Sequence, residues 1–320
     1  MTTEAEDTPR LPPPMPAATQ ATAVAPPPVF AADEASPSLP DLPSMSGAKP
    51  YLVIQPRSGW SALHLLELWQ YRDLLLTLAA RDVKLRYKQT ALGVVWVLLQ
   101  PLLAAGIFTF VFGNVAKLPS DGLPYFLFAY AGLLGWTAFS STLTKASACV
   151  VDNSQLVSKV FFPRLILPLS TVFSTLIDFA VAFAMMAVMM VIYGIAPTWG
   201  ILLIPLWLLM LILLAVGFGL YTSALMVPYR DLRYVIPVLT QFLLYASPVA
   251  YAVSAVPEKL RPWFYLNPIS GLLEAFRWSL LGRGDLHWGA VGYAAGCVVV
   301  VFLFGAYAFK KMERKFADVI

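Results

Sequence analysis

The 320-residue sequence is poor in charge, cysteine and histidine, and each shortage removes a class of function. Only 12% of its residues are Asp, Glu, Lys or Arg, while 59% are hydrophobic, against roughly 25% and 45–50% in soluble domains. Such a chain has too little polar side chain to cover itself in water. Two cysteines, Cys149 and Cys297, are too far apart to suggest a disulfide framework or thiolate metal site. Two histidines, His64 and His287, argue against a histidine-based metal cluster. Catalytic signatures are missing as well. There is no G-x-x-x-x-G-K-[ST] phosphate loop, no H-E-x-x-H, no G-x-S-x-G and no C-x-x-C. The chain is not expected to be an enzyme, and any ATP-driven step belongs to a separate polypeptide.

What is present is a series of apolar runs, each near the ~20 residues that cross a bilayer. They read as six spans at about 91–113, 124–144, 165–193, 200–227, 236–253 and 288–309. The segments 51–90, 145–164, 228–235 and 310–320 carry fifteen Lys and Arg, the opposite connections only five, so both termini are expected in the cytoplasm. The connections 114–123 and 194–199 are short enough for hairpins. Residues 254–287 are longer and rich in Trp, Phe and Leu, and read as two short helices dipping into the outer leaflet. Asn267–Pro268 is a helix start, Gly282 and Gly284 a stop, and Glu274 is placed to pair with Arg277 at i,i+3.

Residues 1–50 hold 12 of the 26 prolines and six acidic residues against two basic. They read as a disordered Pro/Ala-rich cytoplasmic tail, with a proline-rich docking segment as the alternative. Early acids and the absence of a continuous apolar core argue against a signal peptide.

Between Trp60 and Gln89 the chain passes from apolar (Leu74, Leu75, Leu76, Leu78) to basic (Arg81, Lys84, Arg86, Lys88). Arg81, Lys84 and Lys88 share one stripe, as suits an imperfect amphipathic helix at the headgroup boundary. Simple anchoring of the first span explains the same charges. Within that span Trp96, Gln100, Leu103, Ile107 and Phe110 recur at spacings of 4, 3, 4 and 3, hence on one face; in the fifth, Gln241, Tyr245 and Pro248 do likewise. Aromatics and amides on one face suit a wall that touches sugar rings. Ordinary helix packing, with Gln hydrogen-bonded across an interface, explains the spacing equally well. Asp178 is the one ionisable residue well inside a span, without an obvious basic partner there, and is expected to hydrogen-bond structurally.

Several stretches resemble one family: "LAARDVKLRYKQTALGVVWVLLQPLL", "NSQLVSKVFFPRLILPLS", "YRDLRYVIPVLTQFLLYASPVAY", "LNPISGLLEAFRWSLLG" and "FKKMERKFADVI". They are similar to the permease subunits of type-2 ABC exporters, above all the branch that moves O-antigen, capsule or teichoic acid chains. The resemblance covers roughly residues 60–320. It implies an all-α integral membrane protein of six spans with an N-terminal interface helix, acting as a homodimer with two copies of an ATPase that binds ATP and Mg. ATPase coupling is implied for Arg81, Lys84, Lys88, Ser154, Gln155, Leu156, Lys159, Pro163, Arg230 and Asp231. The 254–287 segment, with Trp263, Phe264, Tyr265, Phe276 and Trp278, corresponds to the family's gate helices. The implied role is a channel subunit of an inner-membrane exporter of lipid-linked polysaccharide, with no nucleic-acid partner; export of a small hydrophobic compound or drug is the alternative. A membrane enzyme acting on lipid-linked sugars would need clustered carboxylates or histidines. A secondary transporter would show internal repeats and more buried charge.

Overall fold

The structure, a computed structural model, describes residues 69–88, 93–284, 286–313 and 316. The tail expected over 1–50, the first part of the interface region and the last residues of the chain lie outside them. Every regular element among the described residues is helical. The order is α1 (Arg72–Lys88), α2 (Gly93–Phe108), α3 (Tyr125–Asp152), α4 (Ser154–Lys159), α5 (Ile166–Ile192), α6 (Ile204–Met226), α7 (Leu232–Ala246), α8 (Arg261–Tyr265), α9 (Pro268–Leu281) and α10 (Trp288–Glu313).

Five helical stretches are long and apolar enough to cross a membrane: Val95–Val115, Tyr125–Asp152, Ile166–Ile192, Trp199–Met226 and Trp288–Glu313. The segment expected as the fifth of six spans is shorter. Helix α7 has 15 residues, roughly 22 Å at 1.5 Å per residue, and stops where Ser247 turns extended ahead of Pro248.

Helix α3 is the axis of the bundle. It is apolar on nearly every side and buried along most of its length, as a core helix should be. It packs against α2, α5, α6, α7 and α9. Pro101 lies inside α2 without ending it; regular α-helix gives way only at Thr109, where a π-helical stretch runs to Val115. By contrast α5 and α10 bury one side and leave Val188, Val191, Ile192, Val300, Leu303 and Phe304 exposed. Aliphatic surface of that extent suits lipid, not water.

Two apolar clusters fill the bundle. The larger joins α3, α6 and α9 with Met186, Met189 and Met190 of α5. The smaller lies at one end, where Leu78 of α1 meets Val157, Phe162, Ile166, Val227, Phe309 and Phe316. Helix α9 enters on an Asn267 cap, whose Oδ1 accepts from the Ile269 amide at 3.1 Å, and stops at Gly282, left-handed at φ 65°. Only glycine takes that angle without strain.

Helices α6 and α10 cross in direct backbone contact. A Cβ on Gly217 would stand 2.8 Å from Phe302 Cα, and one on Gly305 would run into the Gly217 carbonyl oxygen. Small residues let helices approach this closely in lipid. Gly305→Val is expected to lower the thermal midpoint in detergent by about 5–10 °C. Gly292→Val, on the same helix with open space around its Cβ, should leave the midpoint in place.

Candidate functional site

Elements far apart in the sequence meet at the end built on the smaller cluster. From α1, Arg81 Nη2 donates to Asp82 Oδ1 at 2.9 Å and to Asn153 Oδ1, at the α3–α4 junction, at 2.7 Å. Asn153 is fixed in turn by its Nδ2, which donates to the Cys149 carbonyl at 2.8 Å. One residue earlier, Asp152 Oδ1 accepts from Arg233 Nη2 at 3.0 Å, tying the same junction to the first turn of α7. Arg164, after α4, donates to the Glu313 carbonyl at 2.6 Å and lies over the Phe316 ring. Pairs this exposed contribute well under about 1 kcal/mol each. Their weight is positional, because they place α1, the α3–α4 junction, the first turn of α7 and the end of α10 side by side.

Around this frame α4 alternates. Val157 and Phe162 turn inward, Ser154, Leu156 and Pro163 are half-buried, and Gln155 and Lys159 are exposed. Phe161 stands outward as a large apolar ring at 70% exposure. Lys84 is exposed on α1; the side chain of Lys88 lies outside the described residues. Arg230 and Asp231 are exposed in the turn before α7. Asp152, Asn153, Arg164, Arg233 and Glu313 were not singled out from the sequence. The Asp–Asn pair between helical patterns was the available turn signal.

A second surface runs along α2 and α7. Trp96, Leu103, Ile107 and Phe110 are 53–63% exposed, with Gln100 exposed among them, so the 4-3-4-3 stripe is a face that the described residues leave uncovered. On α7 only Ile236 and Thr240 are buried, while Tyr234, Val238, Gln241, Phe242 and Tyr245 are exposed. Gln241 Nε2 donates to Tyr245 Oη at 3.3 Å, one turn along the same helix.

The aromatic residues after α7 separate. Trp263 is exposed, Phe264, Tyr265 and Trp278 are half-buried, and Phe276 is inside the bundle, edge-on to Phe179 with ring centres 6.1 Å apart. The i,i+3 pair expected between Glu274 and Arg277 does not form. Glu274 faces the other way, its Oε2 accepting from Tyr265 Oη at 3.1 Å, with His287 Nδ1 at 3.8 Å. Arg277 is 6% exposed; it donates to the carbonyls of Pro248 and Tyr251, and its guanidinium carbon lies 4.0 Å from the centre of the Phe128 ring. The Pro248 and Tyr251 carbonyls lie in non-helical backbone, and burial requires a donor for them, which the guanidinium supplies.

Asp178 has the basic partner that its sequence neighbourhood did not suggest. Lys145 Nζ lies 3.2 Å from Asp178 Oδ2 and donates to Ser174 Oγ at 2.9 Å. Lys145 was grouped on the sequence with the 145–164 connection, but α3 continues to Asp152 and carries it inside the bundle. The charge asymmetry between the two sets of connections keeps its sign without it.

With this geometry in view, known proteins decide the family. The profile of the ABC-2 type transporter family matches residues 73–281, about two-thirds of the chain. The chain belongs to that family. Among its relatives, an O-antigen export system permease protein (RfbA) of Myxococcus xanthus is 30% identical over 257 residues, 79% of this chain and 98% of that protein. A protein of the same name in Klebsiella pneumoniae is 28% identical over 252 residues, 78% of this chain and 95% of that one. The polysialic acid transport protein KpsM of Escherichia coli is 22% identical over 239 residues, covering 73% and 91%. In this ABC-2 transporter chain, Arg81, Asp152, Asn153, Arg164 and Arg233 lie within the family match, and Glu313 of α10 lies beyond it.

Proposed function

We propose that this chain is the transmembrane permease of an ATP-driven exporter that moves a lipid-linked polysaccharide, such as O-antigen or capsule glycan, across the inner membrane. The observation that carries the reading is the near full-length likeness to proteins named as permeases for such glycans. Those names favour a glycan over a small hydrophobic compound or drug. In this reading α7 and the extended residues after it form the fifth of six spans, α8 and α9 form the re-entrant gate, and both termini are cytoplasmic. Two copies of the chain pair with two copies of an ATPase, which binds the ATP and Mg.

The uncovered faces of α2 and α7 support a conduit between two copies. Trp96, Gln100, Leu103, Ile107, Phe110, Gln241 and Tyr245 form its wall, and apolar faces that one copy leaves open meet glycan and the second copy. Trp263, Phe264, Tyr265, Phe276 and Trp278 belong to the gate region, with Phe276 anchoring it in the core. Arg81, Lys84, Lys88, Ser154, Gln155, Leu156, Lys159, Pro163, Arg230 and Asp231 transmit motion from the ATPase. Phe161 joins them as the apolar knob that a partner's pocket covers. No nucleic acid is involved.

Two experiments test this. A strain lacking the chain should lose its surface polysaccharide and retain glycan inside the cell; unchanged surface glycan would overturn the proposal. Asp152→Arg and Arg233→Asp should each reduce export by about tenfold while ATP hydrolysis by the purified complex persists, and the swapped pair should restore most of it. Export unaffected by either single change removes the coupling role of this junction.

A further inference from the structure

A cleft of about 300 Å³ opens between α3 and α7, lined by Trp136, Ser140, Ser141, Thr144, Lys145, Thr240 and Gln241. Its composition is unusual for an apolar bundle. Every lining side chain carries a polar atom, in a chain that is 59% hydrophobic. Trp136, Ser140 and Thr144 follow one another at i, i+4 and i+8, with Ser141 and Lys145 as the adjoining stripe, so α3 turns one continuous polar strip toward α7.

The hydroxyls along α3 fall into two groups. Thr137, Thr142 and Ser147 donate to carbonyls of their own helix, at 3.1, 2.7 and 2.6 Å, the usual way a hydroxyl is satisfied in a membrane helix. Ser140, Ser141 and Thr144, which face the cleft, have no partner among the described residues. Gln241, which also lines the cleft, donates an amide N–H to Tyr245. Lys145 is set beside Asp178 at 3.2 Å, so the cation at that end of the cleft is paired.

Three hydroxyls without a partner among the described residues, a side-chain amide and a cation already paired make a poor site for a lipid chain. They match a ligand that presents several hydroxyls. We propose that this cleft is a docking subsite for an uncharged stretch of the exported glycan, with Ser140, Ser141, Thr144 and Gln241 hydrogen-bonding sugar hydroxyls, while Trp136, 5% exposed and packed beside Phe139, forms its floor. The volume lies at the lower end of the roughly 300–1,000 Å³ range of small-molecule sites, room for a short stretch of chain. The inference rests on the glycan-export reading and adds to it a place where polymer is held on α3, apart from the stripe on α2.

The test uses the full chain in its native cell, in a Cys297→Ser background that leaves the buried Cys149 in place. Ser141→Cys and, on the α2 stripe, Leu103→Cys are labelled with a small maleimide in a strain that makes the surface glycan and in one blocked in its synthesis. Labelling of Ser141→Cys should be about tenfold slower when glycan is made, the loss in access expected of a site occupied most of the time. Equal rates for Ser141→Cys with protection of Leu103→Cys make the cleft a hydrated crevice only and overturn the proposal while leaving the export reading intact. Equal rates at both positions overturn it too, and the surface glycan of the deletion strain then decides the export reading. In parallel, the Ser140→Ala/Ser141→Ala/Thr144→Ala variant should export about tenfold less glycan at unchanged protein level. Alanine fits any helix position, so misfolding does not mimic this result. Export at the wild-type rate would overturn the proposal.

Discussion

Replacing Arg277 by methionine is expected to reduce the amount of folded protein severely and to lower its thermal midpoint in detergent by about 10 °C. Arg277 is the buried cation of α9, and its guanidinium serves two carbonyls, Pro248 and Tyr251, in the stretch that follows α7. That stretch has left helical geometry, so its carbonyls have no partner on their own element. A hydrogen bond to a charged donor contributes about 1.5–3 kcal/mol, and an orphaned buried carbonyl costs about 1–3 kcal/mol. Methionine fills similar space but satisfies neither oxygen. Lysine keeps the charge yet lacks the planar fork that reaches both, so Arg277→Lys should fall between wild type and Arg277→Met. Midpoints of all three, measured by tryptophan fluorescence on heating, check the order. An Arg277→Met midpoint within 2–3 °C of wild type, worth roughly 1 kcal/mol, would show that the carbonyls find other partners.

The second large effect is expected at Lys145 and Asp178. Breaking a fully buried pair leaves one charge without its counter-ion and costs about 3–5 kcal/mol, whereas replacing both members by apolar residues is often neutral. The Lys145 and Asp178 side chains are 25% and 13% exposed, so Lys145→Met and Asp178→Leu should each reduce stability by about 1–3 kcal/mol, and the double variant should recover most of it. A double variant no better than the worse single would mean that the Ser174 and Thr175 hydroxyls around Lys145 matter more than the ion pair. Folding and transport separate in this series: the double variant restores the bundle but still removes a charged corner of the α3 cleft.

Much of the architecture follows from local composition. Apolar runs near bilayer length became α2, α3, α5, α6 and α10, because burying a long uninterrupted apolar stretch leaves helix as the only way to satisfy its backbone. The Asn267 start and Gly282 stop of α9 were legible for the same local reason, since a cap is written in one or two residues. The α2 stripe was legible as a face, because helical spacing maps directly onto one side of a cylinder.

Partner choice was not legible. Glu274 and Arg277 sit one turn apart and would pair on an isolated helix, but burial of α9 offers Arg277 two free carbonyls and gives Glu274 a tyrosine and a histidine. Lys145 and Asp178 are 33 positions apart, and neither contains any sign of the other until α3 and α5 lie side by side. Ser140, Ser141 and Thr144 look like ordinary small polar residues until packing sets Thr240 and Gln241 on the same cleft. The sequence alone determined that this protein lives in a membrane, where its helices run, and which family it resembles, since these depend on composition and short-range spacing. Only the tertiary structure decided which charges neutralise one another, which carbonyls Arg277 holds and where polar groups face an open cleft, because those energies arise between residues that only packing brings into contact.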